Sequence, residues 1–262
     1  MNTAEIGIFG GTGIYDSDLL SDVRQVSVQT PYGSTSSEIT LGVFDGMNVA
    51  FLPRHGKKHS LAPHMINYRA NVWAFKELGV QRIISPSAVG SLKLDIEPGH
   101  FAIPTQFIDN TKGRKTSFTS EGNVIHISVA DPFCPQLQNV IYDISDTIPT
   151  KLHPDCTYVC IEGPRFSTKA ESNMYRTLGA DIIGMTVVPE AQLAREAQMC
   201  YVSISMVTDY DVWAERPVTA KEVAATVSQN SETFSAMLGA LLNNMPKQRE
   251  CSCADALQDA TL

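Results

Sequence analysis

Apolar residues fall along this chain in short runs, and each run gives way to a polar or glycine-rich loop. Runs rich in β-branched residues and closed by turn residues read as strands, whereas apolar positions recurring three and four apart read as helix. Strands are predicted over residues 5–9, 26–28, 38–43 and 47–52, with turns at Pro31-Tyr32-Gly33 and Asp45-Gly46. The segment 67–78 is amphipathic, with Val72, Phe75 and Leu78 on one face, Trp73 beside them and Gly79 as the stop. A strand from Arg82 then runs into a loop of small residues ending at Leu92. Further strands are predicted over 101–104, 124–129 (carrying His126), 157–161, 181–186 and 200–205, with an exposed loop over 109–124. Helices are predicted within 135–148 and over 171–178, 189–198 and 219–244. Strand, helix and strand in succession imply a sheet that is at least partly parallel, hence an α/β fold. No linker, repeat or low-complexity block interrupts the pattern, so one domain is expected over 1–246, followed by a tail of low apolarity over 247–262.

Composition narrows the partners. The net charge of −8 over 262 residues argues against a nucleic-acid polymer or an anionic membrane, both of which require a basic footprint. No apolar run is long enough to span a bilayer, and the N-terminus lacks a basic segment followed by an apolar one, so a cytoplasmic protein is expected. Its six cysteines default to the reduced state. Cys156 and Cys160 lack a matching His/Cys pair at zinc-finger spacing, and no metal site is expected. Cys251-Ser252-Cys253 reads either as two free thiols in a loose tail or as a redox-active or stapled tail.

The candidate chemistry lies at strand ends. Asp209 and Asp211 follow the run 200–205, and in a strand their spacing puts both on one face. Open α/β sheets bind ligands outside the carboxyl ends of their strands. The pair is therefore an acceptor or proton donor for a polar ligand, or else Asp209 caps the next helix and Asp211 faces water. Gly10-Gly11-Thr12-Gly13 follows the first strand and suits an anion-binding turn using the Thr12 hydroxyl. Asp16 stands where a dinucleotide fingerprint needs glycine, and no Gly-Lys-Ser/Thr follows as in a Walker A loop. Arg54-His55-Gly56 ends another apolar strand, and the planar fork of Arg54 suits phosphate oxygens.

Taken in order, Gly10-Gly11-Thr12-Gly13, Arg54-His55-Gly56, Ser87-Ala88-Val89-Gly90-Ser91-Leu92, Glu162-Gly163-Pro164-Arg165-Phe166, Gly184-Met185-Thr186-Val187-Val188-Pro189-Glu190 and Thr208-Asp209-Tyr210-Asp211 resemble the trimeric purine nucleoside phosphorylase family over about residues 5–244. The resemblance is to the branch that cleaves S-methyl-5'-thioadenosine. The tail lies outside it, although its Cys-x-Cys pair resembles tails of some archaeal members. It implies a single α/β domain of nucleoside phosphorylase type, with a central twisted mixed β-sheet flanked by helices. It also implies a pentosyltransferase that needs no cofactor. Inorganic phosphate, as co-substrate, would attack C1', adenine would leave, and 5-methylthioribose 1-phosphate would form. The implied phosphate ligands are Thr12, Arg54, His55, Ser87 (usually Thr in the family), Ala88 and Thr186. Met185 would lie along the ribose and Phe166 on the purine face. Asp209 would protonate or hydrogen-bond N7, directly or through water, and Asp211 would accept from the 6-amino group, with Tyr210 beside them. Ser167, Ala220 and Val223 would set specificity, the last two through a methylthio pocket. His126 resembles a residue that a neighbouring subunit contributes, implying a homotrimer or a dimer of trimers. The open alternatives are a broader purine nucleoside or S-methyl-5'-thioinosine phosphorylase and, from another class, a non-catalytic nucleoside- or dinucleotide-binding module.

Overall fold

A computed structural model describes residues 3–11, 20–119, 122, 124–214 and 218–261. Strands β1 (Ile6–Gly10), β2 (Ser21–Val26), β3 (Ile39–Phe44) and β4 (Met47–Pro53) precede helix α1 (Tyr68–Glu77). Strands β5 (Arg82–Ser91) and β6 (Phe101–Asn110) precede α2 (Pro135–Asp143). Then β7 (Leu152–Ile161) leads to α3 (Lys169–Thr177), β8 (Ile182–Gly184) to α4 (Val187–Glu196), and β9 (Cys200–Asp209) to the long α5 (Ala220–Asn243). Among the described residues these strands form one mixed sheet in the order β2-β3-β4-β1-β5-β8-β7-β6-β9, and β9 also pairs with β5 so that the far half closes on itself. The α/β, mixed-sheet expectation holds.

The strands alternate their side chains between two cores. From β9, Tyr201 and Val207 enter the core under α1 and α4, while Cys200, Val202, Ile204 and Met206 enter the core under α2 and α5. Because both faces are covered, β5 and β9 are buried almost throughout, their serines included. Helix α1 starts where Asn67 accepts the Ala70 amide, and Phe75 stacks on Phe9 of β1 at 4.6 Å. Gly7 makes that approach possible, since a Cβ there would lie 2.7 Å from the Phe75 ring. Capping boxes at Thr168/Glu171 and Thr219/Glu222 start α3 and α5.

Strand β5 pairs with β1 through Ile84, with β9 through Gly90, and with β8 only at Gly90 and Ser91. Its upper end therefore leaves β1, and a crevice opens between the parallel strand ends.

Several local expectations change. The small residues after Ile84 stay within β5, because β9 pairs with them as far as Gly90 and β8 pairs at Gly90 and Ser91. The 101–104 strand continues to Asn110; Pro104 lacks a ladder donor and produces register shifts without ending the strand. The 26–28 strand lies earlier, over the polar edge strand β2. Residues 124–129 have alternating exposure but form no strand; the His126 amide instead donates to the Ala260 carbonyl at 2.7 Å. The tail is docked, with Cys253 buried, which overturns the reading of a loose tail.

Candidate active site

A cavity of about 480 Å³ lies over the ends of β4, β5, β7, β8 and β9 and is walled by the first turn of α5. It brings together Arg54, His55, Ser87, Ala88, Phe166, Ser167, Met185, Thr186, Asp209, Asp211, Ala220 and Val223 from the predicted set. Tyr210 lines an adjoining cavity of about 690 Å³ that shares Asp209 and Asp211. His126 lines neither cavity, and Thr12 lies outside the described residues.

At the end nearer β4, Arg54 is buried and its fork is engaged. Nε and Nη2 grip the Glu190 carboxylate, Nη2 also donates to Ser85 Oγ at 2.5 Å, and Nη1 donates to the Pro86 carbonyl at 3.1 Å. Ser85 and Tyr201 donate to Glu190 Oε2 at 2.8 and 2.9 Å. Burial alone would lower the Arg54 pKa, but the Glu190 carboxylate offsets this and raises it. The expectation of an open fork is therefore corrected. Of five guanidinium hydrogens, these contacts use four, leaving one on Nη1 for an anion.

His55 Nδ1 lies 2.9 Å from the Leu61 carbonyl, which only accepts, so Nδ1 carries the proton. Burial, with the Arg54 charge, lowers its pKa to about 3. The ring is neutral and its Nε2 is an acceptor. It stacks on His59 at 4.1 Å. Ser87 and Thr186 bring buried hydroxyls to the same end, Thr186 at the start of α4.

The opposite end carries the carboxylates. Asp209 ends β9, and Asp211 lies past it with φ of 48°, so the two do not share a strand face. Neither bland reading survives: Asp209 accepts the Asp211 amide at 2.8 Å in a turn, and Asp211 is 4% exposed. Burial raises both pKa values. Thr208 Oγ1 lies 2.7 Å from Asp209 Oδ2 and 3.1 Å from the Val89 carbonyl, but has one proton to give. When that proton goes to Val89, a proton on Asp209 completes the remaining bond, which suits a neutral acid. Asp211 Oδ2 is buried and makes no hydrogen bond of ordinary geometry among the described residues, although the Ser172 hydroxyl and the Val212 amide lie near enough to its carboxyl to oppose the upward shift; Ser167 Oγ is likewise unpartnered. Gly90 makes room for the pair: a Cβ there would lie 2.9 Å from Asp209 Oδ1.

Between these ends the wall is largely apolar. Met185 packs over Gly163, while Phe166, at 36% exposure, leaves ring surface at the rim. Ala220, Val223 and Ala224 of α5 form an apolar side. Arg114, expected in an exposed loop, is instead buried beneath the site. It donates to Met185 O at 2.7 Å, Tyr68 Oη at 3.1 Å and Glu162 Oε1 at 3.0 Å, fixing the loop that carries Met185 and Thr186. Arg114, Glu190 and Thr208 were missed as working residues. Glu190 stood inside a recognised motif without a role, and nothing local marked Arg114.

A buried acid pair facing clustered hydroxyls across an apolar gap is the layout of an enzyme that divides a polar ligand between two ends. The profile described as Phosphorylase superfamily matches residues 5–243. The chain belongs to this superfamily. A relative from Nitrosopumilus maritimus, named S-methyl-5'-thioadenosine phosphorylase, is 67% identical over 98% of this chain and 97% of its own length. One of the same name from Saccharolobus solfataricus is 52% identical over 98% of this chain and 97% of its own. A methylthioadenosine phosphorylase structure from an antarctic soil metagenomic library superposes with a TM-score of 0.93 at 43% identity, covering 100% of this chain and 93% of that one. The Schistosoma mansoni methylthioadenosine phosphorylase, in complex with adenine, gives 0.93 at 33% identity over 99% of both chains. The superfamily and the nucleoside phosphorylase fold match the expectation from the motifs.

Proposed function

We propose that this chain catalyses phosphorolysis of S-methyl-5'-thioadenosine to adenine and 5-methylthioribose 1-phosphate. The observation that carries this reading is the unpartnered, buried Asp211 Oδ2 beside an acid of raised pKa, Asp209. A buried acceptor left open calls for a donor on the ligand, and the 6-amino group of adenine supplies one. A 6-oxo purine would place an acceptor there instead. The superfamily match and the names of the relatives support the same assignment.

In the proposed chemistry, phosphate attacks C1' as the C1'–N9 bond breaks. The bonding electrons pass to the purine, and Asp209 delivers a proton to N7, directly or through water. The phosphate rests against the Ser87 and Thr186 hydroxyls, the Ala88 strand edge and the remaining Arg54 hydrogen; Thr12, which lies outside the described residues, is assigned to it from the motif alone. Neutral His55 accepts through Nε2 from a protonated phosphate oxygen. Met185 lies along the ribose, Phe166 covers the purine, and Tyr210 braces the carboxylate turn through its bond to Leu94 O at 3.3 Å. Ser167 completes the purine contacts, while Ala220 and Val223 receive the methylthio group. The reaction consumes phosphate and uses no cofactor.

His126 is assigned to a neighbouring subunit's pocket, in a homotrimer or a dimer of trimers; light scattering that finds only monomer in the active enzyme overturns this. Among the described residues no helix is long and apolar enough to cross a membrane. A cytoplasmic enzyme is inferred because phosphate and the nucleoside are both supplied inside cells.

The test is a substrate panel of methylthioadenosine, adenosine, inosine and methylthioinosine, with and without phosphate. Phosphate-dependent adenine release with methylthioadenosine preferred is expected. Equal kcat/KM for inosine rejects the assignment, and no cleavage of any substrate supports a binding module.

A further inference from the structure

The first residue of β9 belongs to a second cluster. Cys134, Cys200, Cys251 and Cys253 bring their four Sγ atoms within 4.8 Å of one another. They come from three places: the residue before α2, the start of β9 and the docked tail. Cys134, Cys200 and Cys253 are buried, and all four thiols are free. The separation of Cys200 Sγ and Cys251 Sγ is 3.3 Å, far from the 2.03–2.05 Å of a disulfide. A tetrahedral zinc with Zn–S bonds of about 2.3 Å places its sulfurs about 3.8 Å apart, within the spread of this cluster. Cys156 and Cys160, by contrast, lie in the other core, away from this group.

The surroundings suit a negatively charged centre. Cys134 is the N-cap of α2, where helix amides stabilise an anionic sulfur. Arg82 stands opposite Cys200 on the neighbouring strand, and Arg249 precedes Cys251 by two residues. Each of these arginines keeps Nε buried without a partner among the described residues. They place positive charge beside a site that would carry two negative charges when filled.

We propose that Cys134, Cys200, Cys251 and Cys253 form a tetrathiolate site for a soft divalent metal, zinc in the first instance, which pins the C-terminal tail to the body of the protein. Binding converts four thiols and Zn²⁺ into a dianionic centre and releases four protons, with no change of oxidation state. The site is structural: all four positions are protein sulfur, and it stands about 30 Å along β9 from Asp209. Its filling reaches further through the tail, because Ala260 holds the His126 amide. Sequence reading weighed only Cys156 and Cys160 for zinc, since the cluster joins cysteines widely separated along the chain.

The test uses the full chain, purified reduced and loaded with zinc alone or cobalt alone. The expected results are about one metal per chain and the visible bands of tetrahedral cobalt–thiolate coordination, both removed by a chelator. Cys134→Ser and Cys253→Ser should each lose the metal and the cobalt bands, while Cys156→Ser keeps both. Should a variant fail to fold, the wild-type stoichiometry and cobalt spectrum still decide the matter. For the chain purified in air without reductant, an intact mass four hydrogen atoms lighter with no bound metal, which means two disulfides, overturns the proposal. So does a reduced chain that binds no zinc and shows no cobalt bands.

Discussion

The cavity holds buried charge at both ends, disposed in opposite ways. At one end Arg54 and Glu190 neutralise each other, with Ser85, Tyr201 and the Pro86 carbonyl completing their bonds. At the other, Asp209 and Asp211 face no cation in the described contacts, and Asp211 keeps an oxygen without a partner. A satisfied buried pair builds a wall, whereas an unsatisfied buried acid awaits a ligand or a proton. Titratable residues at one cavity thus divide into scaffold and chemistry by whether a neighbour already meets their needs.

The largest effect should follow from touching the unpaired end. Asp209→Asn should lower kcat by about 10²–10⁴-fold, the usual range for a general acid, with little change in the KM for phosphate. Steady-state kinetics with phosphate varied checks this; a large rise in that KM with kcat unchanged would reverse the two ends. At the paired end, Glu190→Gln should act on folding. It leaves the buried Arg54 charge uncompensated, at a cost of about 3–5 kcal/mol, read from denaturant unfolding. An enzyme of unchanged stability would mean that the pair is not scaffold.

Asp211→Asn presents both an acceptor and a donor to position 6 of the purine. It should shift the kcat/KM ratio of methylthioadenosine to methylthioinosine by about 10-fold or more towards the 6-oxo substrate, as follows from 1–3 kcal/mol for an unmet buried group. An unmoved ratio would take the reading of position 6 away from Asp211.

The smallest effect concerns pH and stability. The Asp209 pKa is raised above its ordinary value of 3.8 by burial. A carboxyl with a higher pKa in the folded state favours folding below its unfolded pKa and loses that contribution as pH rises through the folded value. Asp209→Asn should therefore melt slightly higher than wild type near neutral pH, with the gain shrinking to nothing below the ordinary value. A variant that melts lower across the whole range would show Asp209 to be structural.

How much of this was legible depended on distance along the chain. The strand running into Arg54 and the strand running into Asp209 carry their polar residue directly after an apolar run, and the pattern exposes both. The partner that changes the meaning of Arg54 is Glu190, 136 residues away. No local signal links them, so the fork read as open. Arg114 sits among polar residues that look like a solvated loop, yet its bonds go to backbone brought in from β7 and α4. The residues around His126 alternate as a strand does, but they take the tail for a backbone partner. Periodicity reports which face is buried and is silent about which neighbour buries it.

The central claim is that Asp209 works through N7 of the purine. The direct measurement is a four-way comparison of single-turnover cleavage: wild type and Asp209→Asn, each with methylthioadenosine and with its 7-deaza analogue, which lacks N7. The account predicts that either change alone produces nearly the full loss and that the two together add little. If Asp209→Asn slows the 7-deaza analogue by the same factor as methylthioadenosine, the two losses are independent, and Asp209 does not act on N7.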